Sequence, residues 1–194
     1  MFKLIRQIKD KLEPLKPYNI GFSGLAEGHH RFSFEIGEAF FACFEKSEIT
    51  SGEVYLSMNM EKEPSMLVFD FVLKGWIELA CDRCLEGYRE PVDHAYRLYV
   101  KFGDDFREES EDVIIIPREE SHFDVSHYVY EFLHLGIPLR RVHPDDKDGN
   151  PVCDPDMIDR LKEHSTENHK PGLAANMNQD PREVLKALKF NKDN

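Results

Sequence analysis

Four stretches of this chain place apolar or aromatic side chains at every second position: Phe32, Phe34 and Ile36; Val54, Leu56, Met58 and Met60; Leu67, Phe69, Phe71 and Leu73; and Val92, His94, Tyr96, Leu98, Val100 and Phe102. A period of two sends alternate side chains to opposite faces of a pleated strand, so each set implies one buried face and one wet face. In the last set Asp93, Arg97 and Lys101 supply the wet face. Half-exposed strands of this kind pair antiparallel, because all-parallel sheets are covered on both sides. Val113-Ile114-Ile115-Ile116, just before Pro117, reads instead as a short strand buried all round.

Helical spacing takes over at Val125, Tyr128, Val129, Phe132 and Leu133, with Asp124 placed to cap the start and Gly136-Ile137-Pro138 to end it. Asp154-Pro155 opens a shorter helix through Ile158 and Leu161, with Asp as the cap and Pro at the first helical position. Residues 163–179 have no period and read as a flexible linker. Asp180-Pro181-Arg182-Glu183 resembles a capping box ahead of Val184, Leu185 and Leu188, so residues 180–194 read as a short C-terminal helix. The expected class is therefore α+β, a mostly antiparallel sheet with one packed helix and shorter C-terminal helices.

Charge narrows the function. A formal net charge of -12 over 194 residues opposes attraction to polyphosphate, which depends on cationic side chains releasing condensed counterions. The longest aromatic-rich run, Ala39 to Phe44, is far short of the roughly 20 apolar residues that a membrane span needs. Met1 to Leu12 intersperses Lys3, Arg6, Lys9 and Lys11 with single apolar residues, unlike a secretory leader. A cytoplasmic location without membrane contact is expected. Nine carboxylates lie between Asp104 and Asp124, read as a solvated loop or, functionally, as a docking surface for a basic partner.

Four cysteines are too few for a disulfide scaffold in a chain of this length. Cys81 and Cys84 stand at Cys-x-x-Cys spacing where one strand turns into the next, and a tight turn can aim two thiols at one metal ion. His143 and Cys153 flank the loop after the main helix and can supply the other half of a Cys₃His structural zinc site. Buried thiols at a hairpin turn, with His143 only capping a loop, is the alternative. Cys43, inside an aromatic run, reads as a core thiol. A redox dithiol fits less well, since that chemistry places its first Cys at a helix N-terminus. Arg140 and Arg141, with Arg83 and Lys101, can form a phosphate-contacting patch if their loops converge. The nine histidines are scattered, and no Ser/His/Asp or paired-carboxylate set emerges, so an enzyme is not expected.

The ordered series Cys81-Asp82-Arg83-Cys84-Leu85-Glu86, Ile137-Pro138-Leu139-Arg140-Arg141-Val142-His143, Cys153 and Asp180-Pro181-Arg182 with Leu185 and Leu188 resembles the YceD-like family, the large ribosomal RNA subunit accumulation proteins. The likeness runs from about Tyr18 to the C-terminus, which implies that residues 1–17 are an N-terminal extension and residues 18–162 the main α+β domain. It implies a non-enzymatic factor in ribosome assembly or rRNA precursor processing, without a small-molecule substrate. The family's thiol pair falls on Cys81 and Cys84, its Leu-Pro-x-x-x-x-His on Ile137, Pro138 and His143, and its following Cys on Cys153. The expected partners are precursor ribosomal RNA, a basic large-subunit ribosomal protein, or both. Arg83, Arg140, Arg141, Lys186 and Lys189 are the candidate RNA contacts. A zinc or thiol redox module without ribosomal contact is the alternative.

Overall fold

The computed structural model describes residues 13–45, 47–149 and 152–164. The chain divides into two compact units, the first ending at Val152 and the second beginning at Cys153. In the first, a 3-10 turn at Glu13–Tyr18 leads into β1 (Asn19–Gly21), β2 (Gly28–Ile36), α1 (Glu38–Phe41), β3 (Gly52–Lys62), β4 (Met66–Ala80), β5 (Gly87–Gly103), β6 (Arg107–Ser110), β7 (Val113–Pro117), β8 (His122–Asp124) and α2 (Ser126–Leu135). A six-stranded sheet runs in the order β2-β3-β4-β5-β7-β6, and β1 and β8 pair separately. The architecture is α+β and mostly antiparallel. The one exception in the six-stranded sheet is β5, which pairs parallel with β7.

The period-two pattern sets the faces of that sheet. Leu56, Met58 and Met60 of β3, Leu67, Phe69, Phe71 and Leu73 of β4, and Leu98 and Val100 of β5 are fully buried, while Tyr55, Ser57, Lys74 and Arg97 between them face out. Burying each such side chain contributes roughly 1.5–3 kcal/mol, so this layer dominates the stability of the unit. Helix α2 lies against it through Phe132, whose ring stacks on Tyr96 at 4.5 Å and meets the edge of Phe71 at 5.1 Å. Its first turn is satisfied by Asp124, whose carboxylate accepts the Ser126 N–H at 2.8 Å. Gly75 interrupts β4 at φ +151°, and a Cβ there would stand 2.0 Å from the Glu53 carbonyl, so no larger residue fits.

In this first unit the structure departs from the expectations in two places. The acidic run from Asp104 to Asp124 carries β6 and β8 as well as the anticipated β7, so it is largely sheet and not a continuous solvated loop. Cys43 is half-buried in the turn after α1, its thiol donating to the Ala39 carbonyl at 3.2 Å, and is not a core thiol.

In the second unit, α3 (Pro155–His164) starts where Asp154-Pro155 indicated, with the Asp154 carboxylate accepting the Asp156 N–H at 3.0 Å. It runs through Glu163 and His164, into the stretch read as aperiodic. The rest of the expected linker and the helix over residues 180–194 lie outside the described residues.

Candidate metal centre

The longest hairpin of the sheet ends in the thiol turn. β4 stops at Ala80 and β5 begins at Gly87, and the six residues between them close on themselves: the Cys81 N–H donates to the Glu86 carbonyl at 2.9 Å, and the Leu85 N–H to the Cys81 carbonyl at 2.9 Å. Closing so tightly sends Leu85 to φ +63°, a left-handed conformation that disfavours residues with a Cβ. The result turns the Cys81 and Cys84 side chains inward, and both are buried. The Arg83 N–H points back at the Cys81 sulfur, 3.4 Å away.

A second segment comes to this turn after α2. The Asp82 N–H donates to the Arg141 carbonyl at 2.7 Å, and the Arg141 N–H returns a bond to the Asp82 carboxylate at 2.8 Å. The Arg141 guanidinium also reaches Glu48 at 2.7 Å and Asp82 at 3.5 Å. This clasp fixes the chain two residues before His143, whose Nδ1 then lies 3.4 Å from the Cys84 sulfur while its ring packs 5.5 Å from that of Tyr88.

The donor atoms of Cys81, Cys84 and His143 all lie within 4.8 Å of one another. With Zn–S near 2.3 Å and Zn–N near 2.0–2.1 Å, a tetrahedral zinc sets its ligand atoms roughly 3.5–3.8 Å apart. The 3.4 Å separation of Cys84 and His143 is close to that spacing, and a contraction of at most about an ångström brings in the third donor. Electrostatics agrees with geometry. Burial alone would push the Cys81 thiol up, but the N–H groups of Cys84, Arg83 and His143 and the His143 ring outweigh it and bring the pKa from 9.0 down to about 6. A thiol held as thiolate near neutrality is the form that ligates a metal. Two cysteine sulfurs and one imidazole make a donor set compatible with a structural zinc.

Of the other expected site residues, Cys153 is buried and is the first residue of the second unit. Arg83 is half-buried and Arg140 exposed. Arg141 is committed to Glu48 and Asp82. Lys186 and Lys189 lie outside the described residues. Sequence reasoning missed Asp82, Glu48 and Tyr88. The one available signal was an acid between the two thiols and a base two residues before the imidazole, a matched pair separated by 59 positions.

Fold and site together define an α+β protein whose sheet carries a Cys-x-x-Cys turn facing an imidazole. The chain belongs to the family described as large ribosomal RNA subunit accumulation protein YceD, which matches residues 69–189, well over half its length. The match begins inside β4 and takes in the thiol turn, α2, His143 and Cys153; the likeness traced from Tyr18 is wider than this match. No curated protein and no solved structure matches the chain. No helix among the described residues is long and apolar enough to cross a membrane.

Proposed function

We propose that the protein is a non-enzymatic cytoplasmic factor supporting the accumulation of large-subunit ribosomal RNA, through ribosome assembly or precursor processing, and that a structural zinc shapes its working surface. The family match over residues 69–189 carries the ribosomal part of this reading. The convergence of Cys81, Cys84 and His143 supports the metal. Cys153 is the proposed fourth ligand: zinc in structural sites takes four, and the ten-residue span from His143 is long enough, at up to about 33 Å, to bring a thiol to the set. Bound zinc would tie the loop after α2 to the hairpin end, a folding role that needs no open coordination position. The alternative, a metal or redox module without ribosomal contact, gains nothing from the family match.

A net charge of -12 makes a basic ribosomal protein the first contact and RNA the second. Repulsion of bare RNA acts over a Debye length of about 8 Å at physiological salt, so phosphate contacts form once docking has brought RNA near. Arg83 and Arg140, with Lys186 and Lys189 of the C-terminal region, are the contacts proposed. Arg141, held by Glu48 and Asp82, serves the turn instead.

Depletion of the protein is expected to lower large-subunit relative to small-subunit rRNA, and the tagged chain should sediment with large-subunit precursors. Normal subunit ratios in both cold and rich growth, with the chain confined to the top of the gradient, contradict the proposal.

A further inference from the structure

Away from the thiol turn, two clefts of about 420 and 480 Å³ share Glu108 and Tyr128 as walls, so they form one groove between α2 and the β6–β7 side of the sheet. Its floor is apolar: Ile114, Ile116, Phe123 and Phe132 are buried. Phe106 at one end and Leu135 at the other are 61% and 71% exposed, which leaves apolar surface open to solvent at both ends. The rim carries five carboxylates, Glu108, Glu111, Glu120, Asp124 and Glu131, and no Lys or Arg lines either cleft. Glu131 also meets His127 at 2.9 Å. The field shows at Tyr128, whose phenol is pushed up to about 12 by burial and further by Glu108, Glu131 and Asp124.

One long side of this groove is a sheet edge. β6 is last in the strand order, all four of its residues are exposed, and it has a strand neighbour only in β7 among the described residues. An exposed edge offers unpaired backbone groups to an extended segment, and alternate side chains of such a segment point the same way. We infer that this groove docks an extended basic protein segment as an added strand on β6, its apolar side chains on Tyr128 and Phe132 and its lysines or arginines on the glutamate rim. The carboxylates that attract such a segment repel phosphate, so the occupant is protein rather than nucleic acid.

This inference deepens the proposed role, in which a basic ribosomal protein makes the first contact, by naming the surface. The probes are two fluorescent twelve-residue peptides of equal charge, one alternating Lys and Val and one alternating Lys and Ser, titrated into the full chain at physiological salt. The Lys-Val peptide should bind markedly tighter. The double variant Glu108→Lys/Glu131→Lys should lose at least about tenfold, while Glu35→Lys/Glu61→Lys, on β2 and β3 at the far side of the sheet, should lose little; unchanged melting shows that each variant is folded. Leu135→Ser should weaken the Lys-Val peptide and leave the Lys-Ser peptide alone. Equal affinity for the two peptides, or equal loss in both double variants, overturns the inference. So does binding that emerges only when residues 165–194 are removed, which assigns the groove to the chain's own tail. Self-association abolished by Glu108→Lys/Glu131→Lys assigns it to a second copy, and tighter binding of single-stranded RNA than of either peptide assigns it to nucleic acid. The two readings fail separately. A wild-type chain that does not sediment with large-subunit precursors sinks the ribosomal role whatever the groove binds; a groove variant that sediments and restores rRNA as wild type does sinks the groove alone.

Discussion

The β4–β5 hairpin is held in two different ways along its length. Through its middle, Phe69, Phe71 and Leu73 face Tyr96, Leu98 and their neighbours across a register of continuous antiparallel pairs, and stability comes from apolar area. At its end, the turn from Cys81 to Glu86 is held by a few directional bonds, a left-handed Leu85 and two thiols. Area is forgiving of chemistry and indifferent to pH; a ligand cluster is the reverse. On the proposed reading the sheet is thus a scaffold that survives changes of condition, and the turn is the part expected to respond to metal and to protons.

The sharpest way to separate the two regions is to damage each in turn. Phe71→Ala, at the centre of the sheet, should cost about 3–5 kcal/mol in denaturant unfolding, while the chain that remains folded keeps its metal. Removing the metal with a chelator should cost less, on the order of 2.7 kcal/mol where free zinc had stood at about 100 times its dissociation constant. The far-ultraviolet signature of the sheet should persist. Loss of the whole sheet signal on chelation would show that the turn carries the scaffold.

Protons should act on the same region. The Cys81 pKa in the folded, metal-free chain is about 6 against an ordinary 9.0, so the thiolate's stabilising contribution is complete above pH 9 and is lost as pH falls through about 6. Thiolate absorbance of the stripped chain should titrate with a component near pH 6. A single transition near pH 9 would mean that the N–H groups around the sulfur do not act as described.

Smaller effects refine the comparison. Leu85→Gly removes the Cβ penalty at φ +63° and should stabilise the turn by up to about 1 kcal/mol. Arg141→Ala should change global stability by less than about 1 kcal/mol, the ordinary range for a partly exposed ion pair. It should nonetheless speed metal release to a chelator, because the backbone bonds to Asp82 remain but the guanidinium's hold on Glu48 and Asp82, which steadies the chain two residues before His143, is lost. Unchanged release kinetics would reduce Arg141 to a surface charge.

The two regions also differed in how much of them could be read from sequence. Strands β2 to β5 announced themselves because apolar residues such as Leu56, Met58, Met60, Phe69, Phe71 and Leu73 recur at every second position, and α2 because Val129, Phe132 and Leu133 recur at helical spacing. β6 gave no such sign: Arg107 to Ser110 are all exposed, and a strand with no buried face has no period. β1 and β8, three residues each, are too short to show one. The parallel pairing of β5 with β7 is set by the path of the chain through β6, which no local pattern encodes. At the site, Cys81, Cys84 and His143 were legible because few residue types ligate metals. Asp82 and Arg141 were not, since charged residues are common on any surface and their pairing spans 59 positions.

The central claim is that the turn and the loop after α2 are one metal centre, and metal analysis of chain purified without chelator tests it most directly. About one zinc per chain is expected for wild type, and less than about a tenth of that for Cys84→Ser, with a lowered melting temperature. Wild-type chain holding less than about a tenth of an equivalent, together with unchanged melting of Cys84→Ser, would contradict the account.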